Sequence, residues 1–394
     1  MLRHRFLLWL AALPLLAVQP LLASTVQVGT CKPHLKSFST ISDAVGSVSA
    51  GSTIEVCPGT YAEQVTIARQ LTLEGVTVGT ANQVLITVPT AGLLPNAVSM
   101  FGEAVAAQIF VQGADDVDIT NIAVDGTGGD MGCTGNLWIA GIFYGSGSSG
   151  TVDRVRASGQ VNGTCGVGIW AENGDSRTKW ITIENSSVYN VDSSGIFAGS
   201  GGTPTLSVNV NNDVVNPIIG TAGIIAESVN GQIHDNDISN ASVGVFDGAP
   251  AVSVSANTVM TTVYGMWLAT GGSAVNNEVS SSSIGVLLAA PGATVQNNRV
   301  MSSAIAGVDM GCFSAKVSGN FVNDAAIGIA QARAGIGSNA FANTATTVTD
   351  GCATAAAASL AVKANSRVQA NSAVQANSPQ QWHTPATPLG TRTK

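Results

Sequence analysis

Short runs of alternating apolar and polar residues, rich in valine, isoleucine and threonine, fill the chain between residues 25 and 350. Alternation with a period of two predicts β-strands that bury one face, and the turn residues between the runs predict that each strand is only three to six residues long. A glycine followed by an apolar residue recurs within this region at intervals of 20 to 28 residues. The pairs are Gly141-Ile142, Gly168-Ile169, Gly195-Ile196, Gly223-Ile224, Gly244-Val245, Gly265-Met266, Gly285-Val286, Gly307-Val308 and Gly328-Ile329.

A series of asparagines runs in phase with these glycines. Its members are Asn185, Asn212, Asn236, Asn257, Asn277, Asn298 and Asn320. A period near 21 residues is too short for a βαβ unit, which needs about 30 residues. Each repeat is therefore predicted to form one coil of short strands, and successive coils stack in parallel about 4.8 Å apart around a shared apolar core.

The recurrence of asparagine has a physical explanation in such a stack. An asparagine in the left-handed αL conformation turns the chain sharply, and its amide can bond the equivalent asparagine in the next coil. We expect the glycines to mark a second tight corner. A leucine-rich repeat has a similar period but needs several leucines per unit, whereas residues 180–335 contain only four.

The N-terminus has the layout of a secretory signal peptide. Arg3 and Arg5 precede an apolar stretch over residues 6–22, and we predict cleavage after Ala23. An uncleaved membrane anchor is the alternative, although Pro14 and Pro20 shorten the helix available to it. We expect no membrane span after removal of the signal, and a secreted, periplasmic or cell-surface location.

All six cysteines follow the predicted signal peptide. An even number of cysteines in an exported chain favours disulfides. Fifteen pairings are possible; sequence proximity favours Cys31–Cys57, Cys133–Cys165 and Cys312–Cys352.

The segment from Phe38 to Gly75 contains Thr40-Ile41-Ser42-Asp43-Ala44, then Cys57-Pro58-Gly59-Thr60-Tyr61, then Leu71-Thr72-Leu73-Glu74-Gly75. It resembles the opening of right-handed parallel β-helix proteins of the pectin lyase-like superfamily. The resemblance implies an all-β, single-stranded right-handed parallel β-helix, with a helix over residues 40–48 that caps its N-terminal end and begins in a capping box at Thr40. We divide the chain into a signal peptide (1–23), a β-helix domain (24–362) and a disordered low-complexity tail (363–394).

The residues that mark the best-known enzymes of this superfamily are missing. The Gly-His-Gly and Arg-Ile-Lys tripeptides of polygalacturonases, the Leu-Gly-Arg-Pro-Trp of pectin methylesterases and an Asp-Pro-His-like triplet of alginate epimerases do not occur in the sequence. The net charge of −8 argues against nucleic acid as a partner. Lys179 and Arg299 are separated by a stretch without lysine or arginine, which argues against a strongly anionic glycan.

Loop residues between positions 126 and 180 carry the candidate chemistry. Aromatic side chains there suit sugar rings, and carboxyl groups suit acid–base catalysis. The candidate catalytic residues are Asp153, Glu172 and Asp175, and the candidate substrate-binding residues are Trp138, Tyr144, Trp170, Arg154 and Arg177. Alternatively, the same aromatic residues only pack the loops against the stacked coils, which form a rod.

We expect no cofactor apart from a candidate Ca²⁺ site at Asp115-Asp116-x-Asp118 or Asp235-Asn236-Asp237, whose oxygens are hard ligands. The sequence thus favours an exported monomer that binds a neutral extracellular or cell-surface polysaccharide. If the protein is an enzyme, we expect a polysaccharide lyase or glycoside hydrolase-like activity. A non-catalytic, adhesin-like surface or structural protein is the alternative.

Overall fold

The computed structural model describes residues 22–77, 79, 83–133, 137–145, 147–203, 205–218 and 221–352. The predicted signal peptide up to residue 21 and the predicted tail at 363–394 lie outside this part of the chain. Within it, no helix is long and apolar enough to span a membrane.

One short helix and a long series of strands make up the described chain. In chain order they are β1 (Thr25–Val28), β2 (Lys36–Phe38), α1 (Ile41–Ser47), β3 (Ser52–Val56), β4 (Gly59–Ala62), β5 (Val65–Ile67), β6 (Leu71–Gly75), β7 (Val84–Thr87), β8 (Ala97–Val98), β9 (Ala104–Gln112), β10 (Val117–Thr120), β11 (Ile122–Asp125), β12 (Leu137–Gly145), β13 (Gly150–Asp153), β14 (Arg156–Ser158), β15 (Gly166–Asn173), β16 (Lys179–Glu184), β17 (Ser187–Tyr189), β18 (Ser194–Ser200), β19 (Leu206–Asn211), β20 (Val214–Asn216), β21 (Ala222–Glu227), β22 (Asn230–His234), β23 (Asp237–Gly248), β24 (Ala251–Ser255), β25 (Thr258–Leu268), β26 (Ser273–Val275), β27 (Glu278–Ser280), β28 (Ile284–Leu288), β29 (Thr294–Gln296), β30 (Arg299–Asp309), β31 (Ser314–Ser318), β32 (Phe321–Ala330), β33 (Ala334–Ile336) and β34 (Ala340–Val348).

Each coil contributes one strand to each of three parallel stacks. The first stack runs β2-β1-β3-β6-β10-β13-β16-β19-β22-β24-β26-β29-β31-β33. The second contains β4, β7, β11, β14, β17 and β20, and the third contains β5, β9, β12, β15, β18 and β21. From β23 onward, long strands run through both the second and the third stack, except in the coil that has β27 and β28 as separate strands, and the two stacks form one continuous sheet. This architecture confirms the predicted parallel β-helix.

The core is a set of columns inside the coils. Alternate residues of the first-stack strands point inward, as the burial of Ile119, Val152, Ile183, Val210 and their equivalents shows. Helix α1 lies at the N-terminal end and buries Ile41, Ala44 and Val45 against the same core. The Thr40 side chain accepts a hydrogen bond from the Asp43 N–H at 3.0 Å, which confirms the predicted N-cap.

Three disulfides join Cys31 to Cys57, Cys133 to Cys165 and Cys312 to Cys352. These are the pairs that sequence proximity favours. The first holds the N-terminal coil, the second joins the loops before β12 and β15, and the third connects the turn before β31 to the end of the described chain.

A buried column of asparagines joins successive coils between the first and second stacks. The Nδ2 amide of Asn236 donates to Oδ1 of Asn257 at 2.9 Å, and the backbone N–H of Asn236 donates to the same oxygen at 3.0 Å. The same pair of bonds repeats from Asn257 to Asn277, Asn298, Asn320 and Asn339. Each amide also donates to a carbonyl of the previous coil, such as Ile233 O for Asn257. The predicted ladder is therefore present, and its amide groups from Asn236 to Asn339 are satisfied.

In two coils the ladder residue is one position later than the asparagine that the sequence interpretation assigned. The left-handed conformation belongs to the residue before each ladder position, for example Ala256 (φ 55°) before Asn257. Asn185 (φ 52°) and Asn212 (φ 55°) occupy that turn position, so Ser186 and Asp213 take their places in the ladder. The αL turn and the ladder bond are thus made by two different residues.

The repeated glycines are needed for close approach rather than for positive φ. A Cβ on Gly244 would lie 2.5 Å from the carbonyl oxygen of Gly265 and 2.3 Å from Val259 Cγ1. The equivalent contact recurs along the column from Gly141 to Gly307. These glycines lie within the third-stack strands, two residues before the outward-facing position that the Phe143 and Trp170 side chains occupy.

Asp213 is a carboxyl group in a ladder of amides. Its Oδ1 accepts the Ser186 N–H at 2.7 Å, but its Oδ2 is buried without a hydrogen-bond partner, in the place where other members carry an amide that donates. Burial raises the pKa of Asp213 to about 8; the Ser186 N–H opposes this, and the charges of Glu184 and Asp153 add to it. A protonated carboxyl restores the missing donor.

We predict that Asp213→Asn stabilises the protein, with an effect that grows with pH. The folded pKa of about 8 lies above the ordinary value of 3.8, so the native state holds an extra proton between these limits. Asp213 therefore makes the parent lose stability as pH rises through this window, and the variant lacks this contribution. We expect a gain of about 1–3 kcal/mol at pH 9 and a smaller one at pH 5, measured by denaturant unfolding.

Asn257→Asp is the matched control because it places a second carboxyl in the same ladder. It should destabilise the protein and steepen the loss of stability with pH. Parallel stability–pH curves for the parent and Asp213→Asn would contradict the protonated state of Asp213.

Candidate functional site

An aromatic row runs along the outer face of the third stack, parallel to the axis of the coils. Strand register places its members side by side in successive coils. The row consists of Phe110, Phe143, Trp170, Phe197, Ile225, Phe246 and Trp267. These residues form a hydrophobic cluster separate from the interior core, together with Trp138, Tyr264 and Phe101.

Neighbouring rings of the row are in direct contact. Ring centroids are 5.4 Å apart for Phe110 and Phe143, 5.1 Å for Phe143 and Trp170, and 5.6 Å for Trp170 and Phe197. After Ile225 the contact resumes at 5.6 Å between Phe246 and Trp267. Such distances are typical of favourable aromatic pairs.

A glycine two residues after Phe143, Phe197 and Phe246 lets each of these rings lie flat on the strand. A Cβ on Gly145, Gly199 or Gly248 would come within 2.6–3.0 Å of the ring of Phe143, Phe197 or Phe246. The glycines therefore let the ring faces lie along the sheet.

Residues 88–103, which we name the crossing segment, leave the rod after β7 and pass over the first part of this row. Strand β8 within it pairs antiparallel with β9, and its tip reaches β15 and β18. The Phe101 ring meets that of Phe197 edge-on at 6.1 Å. Consequently Phe110, Phe143, Trp170 and Phe197 are at most 6% exposed, whereas Phe246, Tyr264 and Trp267 are only partly buried.

Glu172 lies beneath the tip of the crossing segment. Its Oε1 accepts the Met100 N–H at 2.7 Å, while Oε2 is buried without a hydrogen-bond partner. Burial raises the pKa of Glu172 to about 8, the Met100 N–H opposes the shift, and the charge of Glu103 adds to it. Glu172 is therefore mostly protonated at neutral pH.

Glu227 occupies the same row of positions as Glu172, two coils further on. Register runs Glu172, Gly199, Glu227, Gly248 across β15, β18, β21 and β23. Burial raises the pKa of Glu227 to about 7, so near neutral pH this carboxyl group can both donate and accept hydrogen bonds. It borders the uncovered part of the aromatic row.

The structure brings together only some of the residues that the sequence singles out. Trp138 and Trp170 lie 5.6 Å apart at the covered part of the row, with Glu172 on the same strand as Trp170. Tyr144 instead points into the interior core, where its hydroxyl donates to Val117 O at 2.7 Å and also lies 3.2 Å from Thr151 O. At 1% exposure it has no surface to offer a substrate.

The two candidate acids other than Glu172 lie elsewhere. Asp153 is on the first stack, where it pairs with Arg154 at 2.8 Å and accepts from Asn185 Nδ2 at 3.0 Å. Asp175 lies in the loop after β15 and pairs with Arg177 at 3.3 Å. The three candidate catalytic carboxyl groups therefore do not converge on one point.

Side chains of both acidic triplets that the sequence predicts as calcium ligands make other contacts. Asp115 Oδ1 pairs with Lys179 Nζ at 2.5 Å, which lowers the pKa of Asp115. Asn236 turns into the buried ladder, away from Asp235, whose carboxylate meets His234 Nδ1 at 2.7 Å. Among the described residues, no group of three His, Cys, Asp or Glu side chains could hold a metal ion.

The exposed end of the aromatic row escaped the sequence interpretation, although a signal for it is present. The second residue after the repeated glycine is aromatic in Gly141-Ile142-Phe143, Gly168-Ile169-Trp170, Gly195-Ile196-Phe197, Gly244-Val245-Phe246 and Gly265-Met266-Trp267. Alternation places this residue on the outer face. No recurring sequence spacing of this kind marks Glu227 as a site residue.

Comparison with known proteins supports the architecture. Two solved structures match most of the chain: the A-module of the mannuronan C-5 epimerase AlgE4 from Azotobacter vinelandii (TM-score 0.54, 13% identity, 78% of this chain and 90% of that chain) and a GH136 lacto-N-biosidase from Eubacterium ramulus (TM-score 0.55, 9% identity, 83% and 68%). The sequence model of the family described as periplasmic copper-binding protein (NosD) matches residues 205–392. No curated protein matches the chain significantly.

The chain has the right-handed parallel β-helix, or pectin lyase-like, fold.

The copper that the NosD description mentions does not fit the described part of this β-helix. Copper favours cysteine, histidine and methionine ligands. In the matched region Cys312 and Cys352 form a disulfide, and both ring nitrogens of His234 lie within hydrogen-bonding distance of Asp235 and Asn209. Met266 and Met310 are fully buried in the core, and Met260 and Met301 are two coils apart, in register with Ser280 between them. The described donor atoms therefore do not converge into a copper site.

We predict that Tyr144→Phe acts on stability and not on ligand binding. The change leaves the Val117 carbonyl oxygen without the hydroxyl that donates to it inside the β-helix. We expect a loss of about 1 kcal/mol in the free energy of unfolding, measured with denaturant, and unchanged affinity for any glycan. Unchanged stability with loss of binding would instead place Tyr144 in a binding site.

Proposed function

We propose that this protein binds a neutral extracellular or cell-surface polysaccharide along the aromatic row of its third stack. The observation that carries the proposal is the partly exposed end of that row, where Phe246, Tyr264 and Trp267 adjoin Glu227. Tyr264 and Trp267 are in contact, with ring centroids 5.3 Å apart. Aromatic faces that combine an apolar surface with polar edges suit sugar rings.

The geometry of the row favours an extended glycan. Its members follow one another from coil to coil about 4.8 Å apart, so a chain molecule lying parallel to the rod axis meets a new side chain at each coil. The partly protonated carboxyl group of Glu227 supplies a hydrogen-bond donor and acceptor for sugar hydroxyls without a full negative charge.

Electrostatics favours a neutral glycan over a polyanion. Between Lys179 and Arg299 the chain has no lysine or arginine, and this stretch includes the strands that carry Phe246, Tyr264 and Trp267. A polyuronate would meet carboxyl groups there with no cation to offset its charge.

Binding rather than catalysis is the function we infer. Asp153, Glu172 and Asp175 do not form an acid–base pair, and Glu172 is 2% exposed beneath Met100. The two similar structures belong to proteins that are named for action on carbohydrates, and the NosD description is of a periplasmic protein. Both are compatible with an exported glycan-binding β-helix, a location that three disulfides also favour.

We predict that Trp267→Ala weakens binding of a neutral glycan about tenfold, or about 1.4 kcal/mol. Calorimetry with xylohexaose, cellohexaose and mannohexaose would measure the affinity of the parent and variant. Oligogalacturonate of the same length should bind more weakly than the neutral glycan that the parent prefers.

Trp180→Ala is the matched control. Trp180 is 42% exposed and lies on β16 of the first stack, so its loss removes an exposed indole without touching the aromatic row. Equal loss of affinity in both variants, or no binding of a neutral hexasaccharide by the parent, would refute the proposal.

A further inference from the structure

The crossing segment is fastened firmly at its base. The Gln64 side chain accepts the Leu94 N–H at 2.8 Å and donates to Leu94 O at 3.0 Å and to Ala107 O at 2.9 Å. Asn96 makes two further bonds to the backbone of Ala107, at 2.9 and 3.0 Å. Four of these five bonds hold Leu94 and Asn96, which precede β8, to Gln64 and to β9, and the fifth joins Gln64 to β9.

The tip of the segment is held differently. A tight turn from Ser99 to Glu103 closes on itself through the Gly102 N–H to Ser99 O bond at 2.9 Å and the Ser99 hydroxyl to Glu103 carboxylate bond at 2.6 Å. It meets the rod through the Met100 N–H to Glu172 bond, the edge of Phe101 on Phe197, and Met100 Cε at 3.1 Å from the Cβ position of Gly199. The tip is thus a small self-contained unit resting on the aromatic row.

The main hydrogen bond beneath the tip involves a carboxyl group whose charged form would be more stable in water. Glu172 is buried, its Oε2 lacks a hydrogen-bond partner, and its pKa is raised to about 8 by burial and by the charge of Glu103. Opening would hydrate Glu172 and move Glu103 away from it. Rising pH therefore favours the open state, since the closed state prefers the protonated acid.

We propose that residues 97–103 are a lid, latched by Glu172, over a second part of the glycan-binding face. Opening uncovers Trp170 and Phe197, so that the exposed row extends from Trp170 to Trp267. In the open state a sugar hydroxyl takes the place of the Met100 N–H at Glu172. The identity of the ligand rests on the proposed function, whereas the opening itself does not.

The geometry offers a way to lock the lid. The Cβ atom of Met100 lies 3.3 Å from the Cβ position of Gly174, close to the separation of Cβ atoms in disulfides. Gly174 does not have positive φ, so a cysteine fits its backbone. The double variant Met100→Cys/Gly174→Cys should form a fourth disulfide that ties the tip to the loop after β15; peptide mapping would verify it.

Hydrogen–deuterium exchange tests the opening without any ligand. We expect amides of residues 97–103 to exchange at least tenfold more slowly in the oxidised double variant than in the parent or in either single variant. Between pH 6 and 9 their protection, corrected for intrinsic rates, should fall in the parent, and in Glu172→Gln it should change less. Equal exchange in the parent and the locked variant overturns the lid.

Glycan affinity forms the second arm. For a neutral hexasaccharide that the parent binds, we expect the locked variant to bind at least fivefold more weakly than the single variants. The affinity for a disaccharide of the same sugar should be unchanged. Equal hexasaccharide affinity shows that the covered part is not a binding site and overturns that half of the proposal. Opening by exchange in a parent that binds no glycan refutes the proposed function and leaves the lid supported.

Discussion

Parallel pairing of each coil with the next is the constraint on which the rest of this molecule depends. Because adjacent strands are in register, a residue choice in one coil sets the neighbour of the equivalent residue in the coils above and below. Inside, this creates continuous apolar columns. At the turn after the first stack, parallel pairing buries a polar side chain in each coil, and its hydrogen-bond partner is the equivalent side chain of the next coil. The amide of asparagine has one donor and one acceptor side, so the same bond can repeat from coil to coil.

The same register converts a short sequence motif into a surface. One aromatic residue per coil would be unremarkable alone, but stacking brings the rings of the aromatic row to within 5.1–5.6 Å of one another. Glycine has two roles in these coils. Two residues before the aromatic position it permits close approach of the backbones, and two residues after Phe143, Phe197 and Phe246 it leaves room for the ring.

Periodicity made the fold predictable, and local contacts made the helix cap and the disulfides predictable. The phase of the asparagine ladder was not, because Asn185 and Asn212 precede Ser186 and Asp213, and either residue of such a pair can turn the chain. The site was harder still. Tyr144 alternates inward on its strand, and the residue that covers Glu172 is Met100, which is 72 positions away in sequence. Such contacts come from an insertion that interrupts the repeat, so the periodicity of the sequence does not predict them.

Glu172 and Glu227 show what that insertion changes. Both lie at equivalent positions of their coils, and both face a glycine in β18. Burial alone raises the pKa of Glu227, whereas at Glu172 a hydrogen bond from Met100 opposes the effect of burial and the charge of Glu103 adds to it. The crossing segment supplies both Glu103 and Met100. The segment therefore acts on the pKa of Glu172 in both directions, through a charge that raises it and an N–H that lowers it, and neither contribution is present at Glu227.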